Sequence, residues 1–483
     1  MTTHTAPSPT SGGTGLFTSV ALEAGTEILT IPQPLITLPD DAHLSETCSG
    51  CLAWKPAAGR RGVNSYYSAG KELLSCTGCR TVKYCDQVCQ RADWKYVHKK
   101  ECGIFSRLAP RVLPASVRAL VRLLLLQPTM SKEDWRKVEE RQSHFLEFSN
   151  TQKWGEICLM AKGAKMYSGT EMAEAGVLKL YCMMLVNTLT LTTPTLDPIG
   201  ICFDPLAATA NHSCSPNASI IFSGRTLQFR SLDKISNGAE ITIPYVDTTF
   251  PTKTRREELR LRWFFDCKCS ACEEAPRGKT DLYSCPHCSG AVADKEPMIC
   301  TNCKKSLPGP PSESTDLKTL HKSGYYPITR QPLPFLHSEL VQSLLADGNF
   351  REALKHQLLL HVSIYPLLYT QSHHPIRVCS GFVLAALLME VVRDPGEELK
   401  KVDVDWGKTL WALLLEIEQG VRRSHGGDSG FAMMVKAKMK EVKEELVRSG
   451  VGWLRGDGKV NGLEREWPKV EGVVRGVLKE LKV

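Results

Sequence analysis

Eight residues between Cys48 and Cys102 constrain this chain more than any others: Cys48-x-x-Cys51, Cys76-x-x-Cys79, Cys85-x-x-x-Cys89 and His98-x-x-x-Cys102. Two thiolates three positions apart reach one ion from a single tight turn, and a spacing of four places both ligands one helical turn apart on one face. These pairs fill two four-coordinate sites with no ligand left over. Thiolate and imidazole donors suit tetrahedral zinc, and the segment is too short and polar to build a core, so metal binding supplies much of its folding energy. Spacing alone permits either sequential or interleaved assignment of the pairs.

More ligand clusters follow. Cys214 stands alone, Cys267-x-Cys269-x-x-Cys272 offers three ligands in a row, and Cys285-x-x-Cys288 with Cys300-x-x-Cys303 has the spacing of a zinc ribbon. Cys158, Cys182, Cys202 and Cys379 lie in apolar surroundings and read as small core residues. Thiols used for metal imply a reducing compartment. The start of the chain lacks a signal-peptide pattern, and the longest apolar runs, Leu123 to Leu126 and Phe382 to Val392, fall short of the ~18 residues of a membrane span, so no membrane is expected. With 483 residues and 42% hydrophobic content, about three domains are expected. The net charge of +8 is a mild excess, permitting an acidic or nucleic-acid-associated partner without demanding one.

The order of the first eight ligands resembles the MYND zinc finger. That resemblance implies interleaving, with Cys48, Cys51, Cys85 and Cys89 on one zinc and Cys76, Cys79, His98 and Cys102 on the other. It also implies a proline-containing peptide as a ligand of the finger. Downstream, Ala210-Asn211-His212-Ser213-Cys214-Ser215-Pro216-Asn217-Ala218 and then Gly238-Ala239-Glu240-Ile241-Thr242-Ile243-Pro244-Tyr245-Val246-Asp247 resemble the two signature motifs of the SET domain. Gly13-Thr14-Gly15-Leu16-Phe17 resembles the opening hairpin of that domain. The whole order is similar to the SET and MYND domain family, SMYD, closely over residues 12 to 275 and loosely beyond.

The resemblance implies a multidomain α+β chain. Residues 1–47 and 196–250 form the two parts of a β-rich SET fold, split by a MYND finger at 48–102 and a helical insert at 103–195. A post-SET zinc segment follows at 251–275, then a zinc ribbon at 280–306 and a C-terminal helical, tetratricopeptide-like domain at 316–483. Within the insert, Ala115 to Leu126 reads as a buried helix closed by Pro128. Ser131 reads as a cap, with Trp135, Val138, Phe145 and Phe148 on one helical face. Leu344, Gly348, Phe350, Ala353 and Pro366 mark a degenerate repeat unit.

The function implied is S-adenosylmethionine-dependent methylation of a lysine on a histone or non-histone protein. Such an in-line displacement needs a neutral amine, and free lysine has a pKa near ~10.4, so an apolar, aromatic-walled channel must disfavour the ammonium. By resemblance, Tyr245 is the catalytic tyrosine. Gly12, Gly13, Thr14, His144, Asn187, Asn211 and His212 contact the cofactor, Phe265 stacks on its adenine, and Trp263 lines the lysine channel. Cys214 joins Cys267, Cys269 and Cys272 in a third zinc site, and three or four zinc ions are expected in all. Where the family shows Tyr-x-Phe-x-Cys-x-Cys, this chain has Trp263-Phe264-Phe265-Asp266-Cys267-Lys268-Cys269, and Pro244 precedes Tyr245. These departures leave one alternative, a catalytically inactive adaptor binding peptides through finger and repeats. The family pattern further implies chromatin association, a monomer, and residence in nucleus and cytoplasm.

Overall fold

In the computed structural model, Gly12 at φ +69° turns the Thr3–Pro7 strand back on Thr14–Thr18, with Pro7 opposite Thr14. The structure describes residues 2–55, 72–273, 280–310, 316–393, 396–451 and 466–482. Thr14–Thr18 then pairs antiparallel with Glu240–Ile243, placing Leu16 opposite Ile241, and Glu240–Ile243 pairs in parallel with Asn211–His212. A parallel pair needs a crossover. The chain between Asn211 and Glu240 supplies it as the Ala218–Ser223 and Thr226–Ser231 hairpin, which joins Glu27–Ile31 in a second sheet. A third sheet holds Ile36–Pro39, Pro198–Phe203 and Leu189–Thr192. Leu16, Ile28, Phe222, Leu227, Phe229 and Ile241 fill the core between these layers.

The finger leaves the sheet after Ile36–Pro39 and returns through helices Lys99–Leu108 and Ala115–Leu126. Arg122, on the second helix, is buried inside the apolar layer, and Arg225, from outside that helix, is half-buried. Arg122 makes a two-point contact with Glu101, at 2.7 and 2.8 Å, and donates to the Thr37 carbonyl. Arg225, from the turn between the crossover strands, donates to the Gly50 and Ser49 carbonyls and to Thr37 Oγ1. Both tie the finger to the sheets, since a buried guanidinium left unpaired is costly.

Two local expectations are corrected. Cys85 precedes the helix, with Asp86 as its N-cap and the helix running Gln87–Asp93, so Cys85 and Cys89 do not share one helical face. The helix capped by Ser131 ends at Glu139; Phe145 and Phe148 sit on a separate helix, Phe145–Ser149, after His144 enters the left-handed region at φ +47°.

The C-terminal region packs helices Leu333–Ala346, Phe350–Leu358, Pro375–Arg393, Trp406–Ser424, Gly430–Arg448 and Trp467–Lys482 around one core. Asn349, Asp405 and Ser429 cap three of them, each accepting from a backbone N–H three residues on. Pro375–Arg393 is longer than its central apolar run suggested, and by length and composition alone it could cross a membrane. Most of its surface is instead buried against neighbouring helices, with Phe382 meeting Phe431 edge-on at 5.2 Å. Arg230 of the crossover hairpin donates to the Arg423 carbonyl and to Gly25, joining this region to the sheets.

Candidate active site and metal centres

Among the described residues, four clusters gather metal-binding side chains. Each set has its ligand atoms within 4.8 Å of one another: Cys48, Cys51, Cys85 and Cys89; Cys76, Cys79, His98 and Cys102; Cys214, Cys267, Cys269 and Cys272; Cys285, Cys288, Cys300 and Cys303. The finger pairs are therefore interleaved, the alternative that spacing left open. Tetrahedral zinc with bonds of about 2.3 Å sets its sulfurs about 3.8 Å apart. Here Cys76 and Cys102 lie 3.8 Å apart, Cys51 and Cys85 3.7 Å, Cys214 and Cys272 3.6 Å, and Cys288 and Cys300 3.5 Å. Backbone N–H groups of Cys85 and Cys214 point at the Cys48 and Cys269 sulfurs, the arrangement that favours thiolates. His98 turns Nε2 toward Cys76 and Cys79, while its Nδ1 faces the Glu101 carboxylate across 3.7 Å, as second-shell carboxylates face ligating imidazoles. Donor chemistry and spacing thus fit zinc in all four clusters.

One cavity of about 430 Å³ is lined by Gly12, Gly13 and Thr14 on one side and His144 and Asn187 on another. Asn211, His212, Tyr245, Trp263 and Phe265 complete its wall. A second cavity, of about 300 Å³, has mostly apolar walls that include Leu189, Ala210, Ile220 and Ile243. Pro375 and Ile376 of the C-terminal region close its far side. Tyr245 and Trp263 line both cavities, their rings 5.4 Å apart. With Val186, Asn187 and Ala208, which also line both cavities, the two rings form the partition between a polar chamber and an apolar one.

The partition is held from several directions. Tyr245 donates its hydroxyl to the Ala210 carbonyl at 2.8 Å, and its backbone N–H to His212 Nδ1 at 2.9 Å. Because Nδ1 accepts, Nε2 carries the proton of a neutral ring, and it lies 3.2 Å from Cys214 Sγ. Burial pushes His212 down to about 4, consistent with that neutral form. Its imidazole therefore links the third metal cluster to Tyr245. Burial, with Glu240 nearby, raises the Tyr245 phenol above its ordinary value, so it keeps its proton at neutral pH. The Trp263 indole donates to the Val186 carbonyl at 3.1 Å, and the Arg262 guanidinium lies over its ring at 4.4 Å.

The sequence profile of the SET domain matches residues 13–246. "SET domain and MYND-type zinc finger protein 6" of Schizosaccharomyces pombe is 33% identical over 240 residues, 48% of this chain and 44% of that protein. "Histone-lysine N-methyltransferase SMYD3" of Mus musculus is 30% identical over 46% of this chain and 54% of its own length. "Histone-lysine N-methyltransferase ASHR1" of Arabidopsis thaliana is 24% identical over 90% of this chain and 94% of its own. Residues 13–246 thus match the SET domain, and the chain is similar there to proteins of the SET and MYND domain type. Its alignment spans about half the length of the yeast and mouse relatives and nearly all of the plant protein.

Sequence reading missed the residue that organises the chamber floor. Glu240 receives Asn211 Nδ2 at 2.7 Å on one carboxylate oxygen and Ser8 Oγ at 2.9 Å on the other. Its carboxylate lies so close over Gly15 that any Cβ there would collide with it, which explains the second glycine of the opening Gly-Thr-Gly. Asn211 also reaches the Thr14 carbonyl, so its amide hydrogens are engaged within the protein. Asn217, quoted in the first motif without a role, clamps the strand before Tyr245 by donating to the Glu240 carbonyl and accepting from the Thr242 N–H. Asn187 donates to the Gln142 and Met183 carbonyls, which orients its own carbonyl oxygen. His144 faces Glu147 and packs on Phe264. Pro244 sits in the wall of the apolar chamber, and the donor it lacks is not needed by the Tyr245–His212 link.

Proposed function

We propose that this chain is an S-adenosylmethionine-dependent protein-lysine N-methyltransferase acting on histone or non-histone lysines. The observation that carries the reading is the shared partition: a polar chamber and an apolar chamber meet at Tyr245 and Trp263. S-adenosylmethionine, when bound in the polar chamber, supplies a methyl group on a cationic sulfur. Gly12, Gly13 and Thr14 would let backbone approach the cofactor, Asn187 and Asn211 would present their side-chain carbonyl oxygens, and Phe265 offers a ring face for adenine.

The apolar chamber acts on the other reactant. Its walls strip water from a lysine side chain, and desolvation lowers an ammonium's pKa toward the neutral amine that attacks. The released proton leaves to water. Tyr245, kept protonated, holds its oxygen against Ala210 at the boundary, where it can orient the amine nitrogen and crowd the methyl. The ring faces of Tyr245 and Trp263 favour a cationic centre beside them. The third metal cluster, through Cys214 and His212, fixes the Tyr245 backbone. Exposed Val88 and Trp94 on the finger support a peptide-docking role there alongside catalysis.

The test uses full-length protein. Calorimetry with S-adenosylhomocysteine should show one site, and a radiolabelled methyl assay on a peptide array should show transfer to lysine. Tyr245→Phe should keep cofactor binding and lower transfer about 10²-fold or more. Absence of cofactor binding would overturn the enzyme reading and leave the adaptor.

A further inference from the structure

A third cavity, of about 250 Å³, lies in the C-terminal region at its junction with the sheets. Arg377, Arg423, His373, Ser372, Gln419 and Glu416 line it. The two guanidinium groups are the informative pair. Arg377 reaches only the Tyr369 and Thr370 carbonyls, at 3.3 and 3.4 Å, and Arg423 only the Ala24 carbonyl, at 3.1 Å. Neither is in an ion pair among the described residues, although many arginines in this chain are. Glu416, the one carboxylate in the lining, accepts from Trp467 Nε1 at 2.9 Å.

His373 fixes where the cavity sits relative to the sheets. It is 4% exposed, and its enclosed Nε2 has no hydrogen-bond partner among the described residues. Its polar neighbours in the crossover hairpin are the Ser231 and Leu232 carbonyls. The cavity also sits beside the N-terminus of the Pro375–Arg393 helix, whose dipole adds to the positive potential.

We propose that this cavity binds a phosphoryl group, carried by inorganic phosphate or by a small phosphomonoester. Two guanidinium forks, a hydroxyl and a side-chain amide offer more donors, from more directions, than the two oxygens of a carboxylate can use. A tetrahedral group with three or more oxygens matches them. The volume is below the ~300 Å³ at which pockets for drug-sized ligands begin, which favours a compact anion. The occupant would bridge both parts of the chain, because Arg423 is anchored to Ala24 and His373 to the crossover hairpin. It would also lie back to back with the apolar chamber, since residues 374–376 line that chamber while Ser372, His373 and Arg377 line this one.

The experiment is calorimetric titration of the full, zinc-loaded chain in a phosphate-free buffer at constant ionic strength. Inorganic phosphate and glycerol 3-phosphate form separate arms, and sodium chloride is the control. The expected result is one saturable site for at least one phosphoryl ligand and none for chloride; the tighter arm identifies the source. Arg377→Met and Arg423→Met should each weaken binding by about tenfold or more, and Glu416→Gln should tighten it by removing a competing charge. Arg423 also packs against Gly25, so Arg423→Lys, which keeps stem and charge, serves as the variant that preserves the junction. It should bind between wild type and Arg423→Met. No saturable heat in either arm, or binding unchanged by both arginine substitutions, refutes the site. Because no methyl transfer is measured, this outcome is independent of the enzyme reading.

Discussion

Replacing Glu240 separates the chamber's architecture from its chemistry. Glu240 lines neither chamber, yet it holds Asn211 at 2.7 Å, Ser8 at 2.9 Å and, weakly, Thr10 at 3.4 Å. In Glu240→Ala the Asn211 amide retains only its 3.3 Å contact with the Thr14 carbonyl, and the loop carrying Gly12 and Gly13 loses its tie through Ser8. A hydrogen bond to a charged group contributes about 1.5–3 kcal/mol, so misplacing Asn211 alone weakens S-adenosylhomocysteine binding roughly 10- to 150-fold. Glu240→Gln behaves differently. Its amide oxygen can face Asn211 while its NH₂ donates to Ser8, whose hydroxyl turns to accept. Only the charge assistance is lost, about 1 kcal/mol, and binding weakens by less than about tenfold. Gly15→Ala should resemble Glu240→Ala, because the added methyl drives the carboxylate out of place. Calorimetry on the three variants, with zinc content checked, gives the ranking. An alanine variant that binds within about twofold of wild type would show that Asn211 needs no such support.

Cys269→Ser removes one thiolate from the third cluster; elemental analysis should fall from four zinc ions to three per chain, and methyl transfer should drop about 10- to 100-fold as Phe265 and His212 lose their anchor. Arg122→Met leaves Glu101 buried without its two-point partner, and denaturant unfolding of the finger, followed by zinc release, should show a loss of about 3–5 kcal/mol; an unchanged midpoint would mean that water replaces the guanidinium. Burial holds His337 and His425 at about 3, below the ~6.5 of an unfolded chain. As pH falls below about 6.5 the unfolded state gains protons first, so stability present at neutral pH is lost by about 1.4 kcal/mol per pH unit for each histidine. Thermal melts from pH 7.5 to 5 should show the C-terminal region weakening, and a flat profile would show that these rings are solvated.

What the sequence discloses depends on how far apart the cooperating residues lie. Pairs such as Cys48 and Cys51 or Cys285 and Cys288 are local, and metal geometry leaves few other readings of their spacing. Their assignment to a shared ion is a long-range fact, and for the finger only the resemblance chose between alternatives. Ser131 announced its helix because a cap acts within three residues. The break at His144 carried no Gly or Pro to mark it, and the period of Trp135 and Val138 ran on falsely into Phe145. Helix Pro375–Arg393 was longer than its apolar run because polar residues at its start lie within the same packed turn sequence.

Glu240 shows the limit most clearly. Its neighbours in sequence are strand residues and give it no role; its partners are Ser8, 232 positions earlier, and Asn211, 29 positions earlier. The sheet order makes that meeting unavoidable once formed. Thr14–Thr18 and Asn211–His212 both pair with the strand that begins at Glu240, so a side chain at its first position reaches toward both neighbours. The same parallel pairing sets Ile243 opposite His212, and two residues later the Tyr245 N–H falls on the His212 ring, whose other nitrogen faces a metal-cluster sulfur. One short parallel pair thus fixes the chamber floor at its start and the partition at its end. Any substitution that slips its register, such as a second proline at Thr242, should therefore disturb cofactor binding and the position of Tyr245 together.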